Sequence, residues 1–80
     1  MTNAQILIKL SEICCSVFNN PSLTLTETTT AKDVSGWDSL SHIDLIVETE
    51  RGFHITFSTK DVKGLANIGD FVQLIARKVN

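Results

Sequence analysis

The chain has 80 residues, a length that suits one domain with one small hydrophobic core. Hydrophobic residues make up 42% and charged residues 20% of it, and this composition excludes an intrinsically disordered chain. The net charge of −2 argues against nucleic acid as the main partner, and no apolar run approaches the roughly 20 residues of a membrane span. We therefore expect a single monomeric domain over residues 1–80.

The cysteines and the N-terminus bear on the cellular compartment. Cys14 and Cys15 are adjacent, and this spacing suits neither a disulfide framework nor a zinc site. We interpret them as packing and surface residues rather than a redox pair. The first residues lack the basic region, apolar stretch and cleavage site of a signal peptide. A reducing cytoplasm is therefore the expected location.

The first predicted element is a helix from about Asn3 to Phe18. Thr2 and Gln5 have the spacing of a capping box. Apolar residues then recur with a period of about 3.6 residues: Ile6, Leu7, Leu10, Ile13, Cys14, Val17 and Phe18. Pro21 ends this element, because proline disfavours the helical conformation in the residue before it.

Residues 22–37 are predicted to form a long connection. The segment after Ser22 alternates as a strand does, but the chain offers no second strand to pair with it. We expect an ordered loop whose Leu23 and Leu25 reach the core. A loop of this length in a small domain often has a function. Gly36 is expected to make the turn before the next helix.

A second helix is predicted to start at Asp38 or Ser39. Asp38 is a favourable N-cap residue, and its negative charge suits the positive end of the helix dipole. Apolar residues follow at helical spacing: Leu40, Ile43, Ile46 and Val47. Gly52 and Phe53 are expected to close the segment.

Two further helices complete the predicted fold. Ser58 and Asp61 mark the start of a short helix that Gly64 ends. Asn67 then caps a last helix with one apolar face, formed by Ile68, Phe71, Val72, Ile75 and Val79. The predicted fold class is all-α: a small four-helix bundle of three longer helices and one short helix, with a long loop between helices 1 and 2.

Ser39, His42 and Asp38 first suggest a hydrolase triad. A triad needs a base that meets the hydroxyl and a third group that orients the base. A serine and a histidine on the surface of one helix have no enclosed pocket or oxyanion hole, so we predict no catalysis by this chain. Metal binding by His42 with Asp38 or Asp44 is not expected, because no full ligand set is visible. Considered without the surrounding sequence, Ser39 is an ordinary serine in the first turn of a helix.

The tripeptide Asp38-Ser39-Leu40 is followed by apolar and acidic residues, a short helix and a final amphipathic helix. This order resembles the phosphopantetheine attachment region of acyl carrier proteins, over about residues 2–79. The family fold is a four-helix bundle. The resemblance implies that a phosphopantetheinyl transferase attaches 4′-phosphopantetheine to Ser39, which makes the chain a phosphoprotein. The thiol of that arm would then carry an acyl group as a thioester.

The resemblance also implies roles for the neighbours of Ser39. Asp38 would help the transferase to position Ser39. His42 would either hydrogen-bond the phosphate of the arm or be an ordinary exposed histidine. Partner enzymes would dock on the second helix, where acidic residues outnumber basic ones. The expected contact residues are Trp37, Leu40, Ile43, Asp44, Val47 and Glu48, although for Trp37 we favour a role as a core or loop anchor.

Several positions differ from those of fatty-acid carriers. Trp37 replaces a small residue, and Glu48 and Thr49 stand where Ala and Leu are usual on the core side of the second helix. Polar groups beside the core would disfavour a deep pocket for a long apolar chain. We therefore expect a specialised carrier with a short or polar cargo. It would serve a lipid, polyketide or glycoconjugate pathway rather than housekeeping fatty acid biosynthesis.

The partners that this role implies are a loading ligase or acyltransferase and a downstream synthase or transferase. Two alternatives remain open at this point. One is an aminoacyl or peptidyl carrier. The other is an unmodified helical interaction module, in which Ser39 only starts a helix.

Overall fold

The computed structural model describes residues 1–79, and within them the chain forms four α-helices and one short 3₁₀ turn. The helices are α1 (Asn3–Val17), α2 (Ser39–Phe53), α3 (Thr59–Lys63) and α4 (Ile68–Val79), and the 3₁₀ turn is Ala31–Asp33. No strand occurs in this range. The predicted all-α bundle, with three longer helices, one short helix and a long first loop, is confirmed. None of these helices is long and apolar enough to cross a membrane.

Local capping explains where the helices begin. The backbone N–H of Gln5 donates to the Thr2 hydroxyl at 3.2 Å, and the Thr2 N–H donates back to the Gln5 amide oxygen at 2.8 Å. Ser58 and Asp61 form the same reciprocal pair at the start of α3. The Asn67 side chain accepts the Asp70 N–H at 2.8 Å at the start of α4. These starts agree with the sequence prediction because each cap is built from residues close in the chain.

The end of α2 at Phe53 agrees with the prediction. Gly52 lies inside the helix, and His54 takes the left-handed conformation that ends it, with φ of 56°. A Cβ on Gly52 would lie 2.9 Å from Cδ1 of Ile13. Gly52 therefore allows α1 and α2 to approach closely, and the helix ends at the next residue, Phe53.

The hydrophobic core lies between α1, α2 and α4, and α1 packs against both of the other helices. Its fully buried members come from these three helices: Ile6, Leu10, Cys14, Leu45, Ile68, Phe71, Val72 and Ile75. The short helix α3 has no buried residue. The core therefore holds α2 in place at its middle and C-terminal turns, while its first turn stays at the surface.

Apolar residues occur on both the inner and the outer face of α2. Leu40, Ile43 and Val47 are 77%, 60% and 40% exposed, whereas Leu45 and Thr49 are fully buried. The Thr49 hydroxyl donates to the Leu45 carbonyl oxygen at 2.7 Å, so it is satisfied within its own helix.

The placement of Glu48 beside the core was wrong. Its side chain is 48% exposed and pairs with Arg51 at 3.4 Å. A glutamate next to a buried threonine on a helix points about 100° away from it, and here that direction is solvent.

The long loop is ordered by contacts with α4. Leu25 is buried and Leu23 packs against the core, as predicted. The N–H groups of Ile68 and Gly69 donate to the carbonyl oxygens of Thr29 and Glu27, at 2.8 and 2.7 Å. The loop therefore satisfies amide donors that the first turn of a helix leaves without partners.

The two cysteines are free thiols. Cys14 is buried in the core, and burial, with a smaller contribution from Cys15, raises the pKa of the Cys14 thiol to about 12. Cys15 is half-buried, and its thiol lies 3.5 Å from the Leu23 carbonyl oxygen. Both residues are packing groups in this fold.

Candidate functional site

The approach to α2 is a tight turn closed by Asp38. Gly36 has φ of +87°, a conformation that favours glycine, and it reverses the chain just before the helix. The Asp38 carboxylate accepts the N–H groups of Leu40 and Ser41 at 3.0 and 2.9 Å. Hydrogen bonds from the backbone and then the side chain of Ser41 lower the pKa of Asp38 below its usual 3.8. Asp38 is therefore an ionised N-cap at physiological pH.

Two serines in the first turn of α2 have different environments. Ser39 is the first residue of the helix and is exposed, and its hydroxyl has no hydrogen-bond partner within residues 1–79. The Ser41 hydroxyl donates to the Gly36 carbonyl oxygen at 2.7 Å and accepts the Asp38 N–H at 2.8 Å. Ser41 is thus part of the turn, whereas the Ser39 hydroxyl is available to a reagent in solution. This role of Ser41 was not predicted from the sequence, although Asp38 and Ser41 have capping-box spacing.

His42 is hydrogen-bonded to Trp37 and not to Ser39. The indole N–H of Trp37 donates to Nδ1 of His42 at 3.1 Å, and the two rings stack with their centroids 6.1 Å apart. Trp37 is half-buried and also contacts Phe18, with ring centroids 5.6 Å apart. This packing agrees with the expected role of Trp37 as an anchor. His42 is half-buried and hydrogen-bonded, so it is not an ordinary exposed histidine.

The residues of a hydrolase triad are close in sequence but are not linked in space. The Asp38 carboxylate binds backbone N–H groups of its own helix, and Nδ1 of His42 is occupied by Trp37. The orienting acid and the base of a triad are therefore absent from this arrangement. Among residues 1–79, no cluster of side chains is suited to a metal ion.

An apolar surface with acidic neighbours extends along α2 from Ser39. Leu40, Ile43 and Val47 form its exposed apolar row, and Asp44 and Glu48 are exposed beside them. We call these five residues the α2 surface. Exposed apolar side chains grouped in this way are typical of interaction sites.

Glu50 belongs to the fold rather than to the α2 surface. It is half-buried, and its carboxylate accepts the Phe57 N–H at 2.8 Å. From the sequence, Glu50 was expected only to add negative charge, because no neighbouring residue indicates a hydrogen-bond partner seven residues ahead.

His42 lines a groove on one side and a smaller cavity on the other. An open groove between α2 and α3 is lined mainly by apolar side chains, which are Ile43, Ile46, Val47, Phe57 and Val62. A smaller cavity of about 70 Å³ lies behind Trp37 and His42, against Leu65 and Phe71. The positions of Phe57 and Val62 beside α2 could not be predicted from the sequence, because they depend on the path of the connection to α3.

Comparisons with known proteins agree on one family. A family model described as the phosphopantetheine attachment site matches residues 9–75. The acyl carrier protein of Exiguobacterium sp. strain AT1b is 32% identical over 79 residues, which cover 99% of this chain and 100% of that protein. The acyl carrier protein of Exiguobacterium sibiricum is 30% identical over 79 residues, with the same coverage.

A solved structure of the same family has a similar fold. The solution NMR structure of holo acyl carrier protein from Geobacter metallireducens has a TM-score of 0.87 and 39% sequence identity to this chain. The match covers 92% of this chain and 85% of the Geobacter chain.

Fold, site and relatives together define a small helical carrier domain. The chain belongs to the acyl carrier protein family, whose members are carriers rather than enzymes and use a phosphopantetheine prosthetic group. The residues at the start of α2 fit such a group, because an exposed serine hydroxyl without a hydrogen-bond partner stands on a rigid, capped helix.

Proposed function

We propose that Ser39 is the attachment residue for 4′-phosphopantetheine and that the chain presents an acyl thioester to partner enzymes. The attached group supplies the thiol that holds the cargo as an activated thioester. The chain supplies a fixed and exposed position for it, which raises the effective concentration of cargo at each partner. The observation that carries this proposal is the contrast between the unengaged Ser39 hydroxyl and the hydrogen-bonded Ser41 hydroxyl.

Intact mass spectrometry tests the attachment. The protein is incubated with coenzyme A and a broad-specificity phosphopantetheinyl transferase. We expect one added phosphopantetheine on the wild type and on Ser41→Ala, and none on Ser39→Ala. Circular dichroism confirms that each variant is folded. If a transferase that modifies a reference carrier leaves the wild type unmodified, the chain is an interaction module and the proposal fails.

We assign partner docking to the α2 surface. Its exposed apolar row supplies contact area next to Ser39, and its acidic side chains attract a basic partner. Such electrostatic attraction accelerates transient encounters and weakens as salt is added. Trp37 is half-buried against the core, so the structure favours an anchoring role for it over the partner contact also considered from the sequence.

A charge-reversal pair tests this docking surface. Asp44→Lys should raise the KM for the carrier in the transferase reaction at low salt, with little change in kcat. Glu27→Lys is the matched control, because it makes the same charge change at an exposed loop residue away from α2. Equal effects of the two substitutions would show that only net charge matters.

We propose that the cargo is a short or polar acyl group, as expected from the sequence, but on different grounds. Glu48 no longer supports this assignment because its side chain is exposed, and the Thr49 hydroxyl is hydrogen-bonded to the Leu45 carbonyl oxygen. The remaining support is that the cavity behind Trp37 and His42 is only about 70 Å³ and is bounded by Phe71, which is buried in the core. Opening room for a long chain would disturb a packed core.

Thermal unfolding of loaded proteins tests the cargo assignment. The protein is loaded with a short and with a long saturated acyl group, and their midpoints are compared with that of the unacylated arm. We expect both to change the midpoint little. A large stabilisation by the long chain would show that the core opens to bury it, and the assignment would be wrong.

We place the carrier between a loading ligase or acyltransferase and a downstream synthase or transferase, in a specialised lipid, polyketide or glycoconjugate pathway. The support is the family's carrier role together with the differences at Trp37 and Thr49. The cytoplasmic location and the monomeric state stay predictions.

A further inference from the structure

Two of the backbone donors nearest to Ser39 are already in use. The N–H groups of Leu40 and Ser41 donate to the Asp38 carboxylate. These are amide donors of the kind that hold a phosphate at the start of a helix. A phosphodiester on Ser39 would therefore be a second anion beside Asp38, with two of the usual donors occupied. Its oxygens need another donor close by.

His42 has such a donor. An indole N–H can only donate, so Nδ1 of His42 accepts the bond from Trp37 and carries no proton in the neutral ring. The ring proton is then on Nε2, and that N–H has no partner within residues 1–79. His42 lines the same shallow groove as Ser39, together with Ala31, Trp37 and Asp38. The groove thus contains an unpaired N–H donor beside the attachment residue.

We propose that Trp37 is a positioning residue that holds His42 in the Nε2–H form, and that this N–H donates to the phosphate of the group on Ser39. The proposal rests on the proposed function, because it needs the phosphodiester at Ser39. Trp37 does not touch the phosphate. It acts through the tautomer and ring orientation of His42, and its own position is fixed by Phe18. The pair offsets the charge conflict between Asp38 and the phosphate.

The first test measures the tautomer of His42 in the unmodified protein. Nitrogen-15 NMR of the imidazole in mildly alkaline buffer distinguishes a protonated from an unprotonated ring nitrogen. We expect Nδ1 of the wild type to be unprotonated and Nε2 to carry the proton. In Trp37→Phe, which keeps an aromatic ring but lacks the N–H, the two tautomers should mix. A wild-type proton on Nδ1, or an unchanged tautomer in Trp37→Phe, would overturn the proposal.

The second test observes the phosphate in the loaded protein by phosphorus-31 NMR. The resonance in His42→Leu should move away from the wild-type position, and Trp37→Phe should move it in the same direction. His42→Gln retains an N–H donor and should stay closer to the wild type. Identical resonances in wild type and His42→Leu would overturn this proposal while leaving attachment at Ser39 intact. Absence of phosphopantetheine on the wild type would overturn both.

Discussion

The two faces of α2 have similar side chains and opposite roles. The inner face, with Leu45, Thr49 and Phe53, is buried against the other helices. The outer face carries Leu40, Ile43 and Val47, which are 40% to 77% exposed. An isolated helix would gain by burying either row. The bundle buries only one of them, and the row that begins beside Ser39 stays exposed.

This contrast distinguishes the α2 residues that stabilise the fold from those proposed to contact partners. Inner residues can be changed to test stability, and outer residues can be changed to test docking with little effect on the fold. The two faces meet at the start of the helix, where Asp38 caps it and Ser39 is exposed. Substitutions at these three places should therefore have separable effects.

The largest expected effect is that of Leu45→Ala on stability. It removes a fully buried side chain and should lower the free energy of unfolding by about 2–5 kcal/mol. Leu40→Ala is the matched change on the outer face and should alter it by less than about 0.5 kcal/mol. Urea unfolding measures both. Similar losses would contradict the division between the faces, as would unimpaired transferase kinetics in Leu40→Ala.

A smaller effect is expected at the junction of the faces. Asp38→Ala removes the acceptor for two amide donors and should cost about 0.5–2 kcal/mol of stability. Asp38→Asn keeps an acceptor oxygen and should cost less. Thermal unfolding of both variants checks the order. A stable Asp38→Ala protein would mean that the cap contributes little to holding Ser39 in place.

The smallest effect is expected from acid. Hydrogen bonding to Ser58 and the nearby Lys78 ammonium lower the pKa of Asp61 to about 2, from a usual 3.8. A carboxyl whose pKa is lower in the folded state stabilises the fold above 3.8, and this stabilisation is lost as the pH falls toward 2. Asp61→Asn should therefore flatten the pH dependence of the unfolding midpoint between these values. An unchanged acid slope would show that other carboxyls dominate.

The helix starts could be predicted from sequence because their caps are local. Thr2, Asp38, Ser58 and Asn67 each bond to amides two or three residues ahead. The end of α2 at Phe53 was also predicted, but the left-handed residue that ends it is His54, which has no such sequence signature.

The candidate site was predictable in part. Ser39 and Asp38 follow from the tripeptide and the family resemblance. Glu48 was placed beside the core incorrectly, because only packing decides which residues of α2 face inward. The Trp37–His42 bond and the Glu50–Phe57 bond depend on how the chain turns before and after the helix. The periodicity of apolar residues in the sequence does not predict the path of those turns.

The most direct test of the central claim is to locate the attachment by tandem mass spectrometry. The loaded wild-type protein is digested, and the peptide that contains Ser35, Ser39 and Ser41 is fragmented. The structure predicts phosphopantetheine on Ser39 alone, because the Ser41 hydroxyl is held by the turn. Phosphopantetheine on Ser41 or Ser35, or on a residue outside this peptide, would contradict the account.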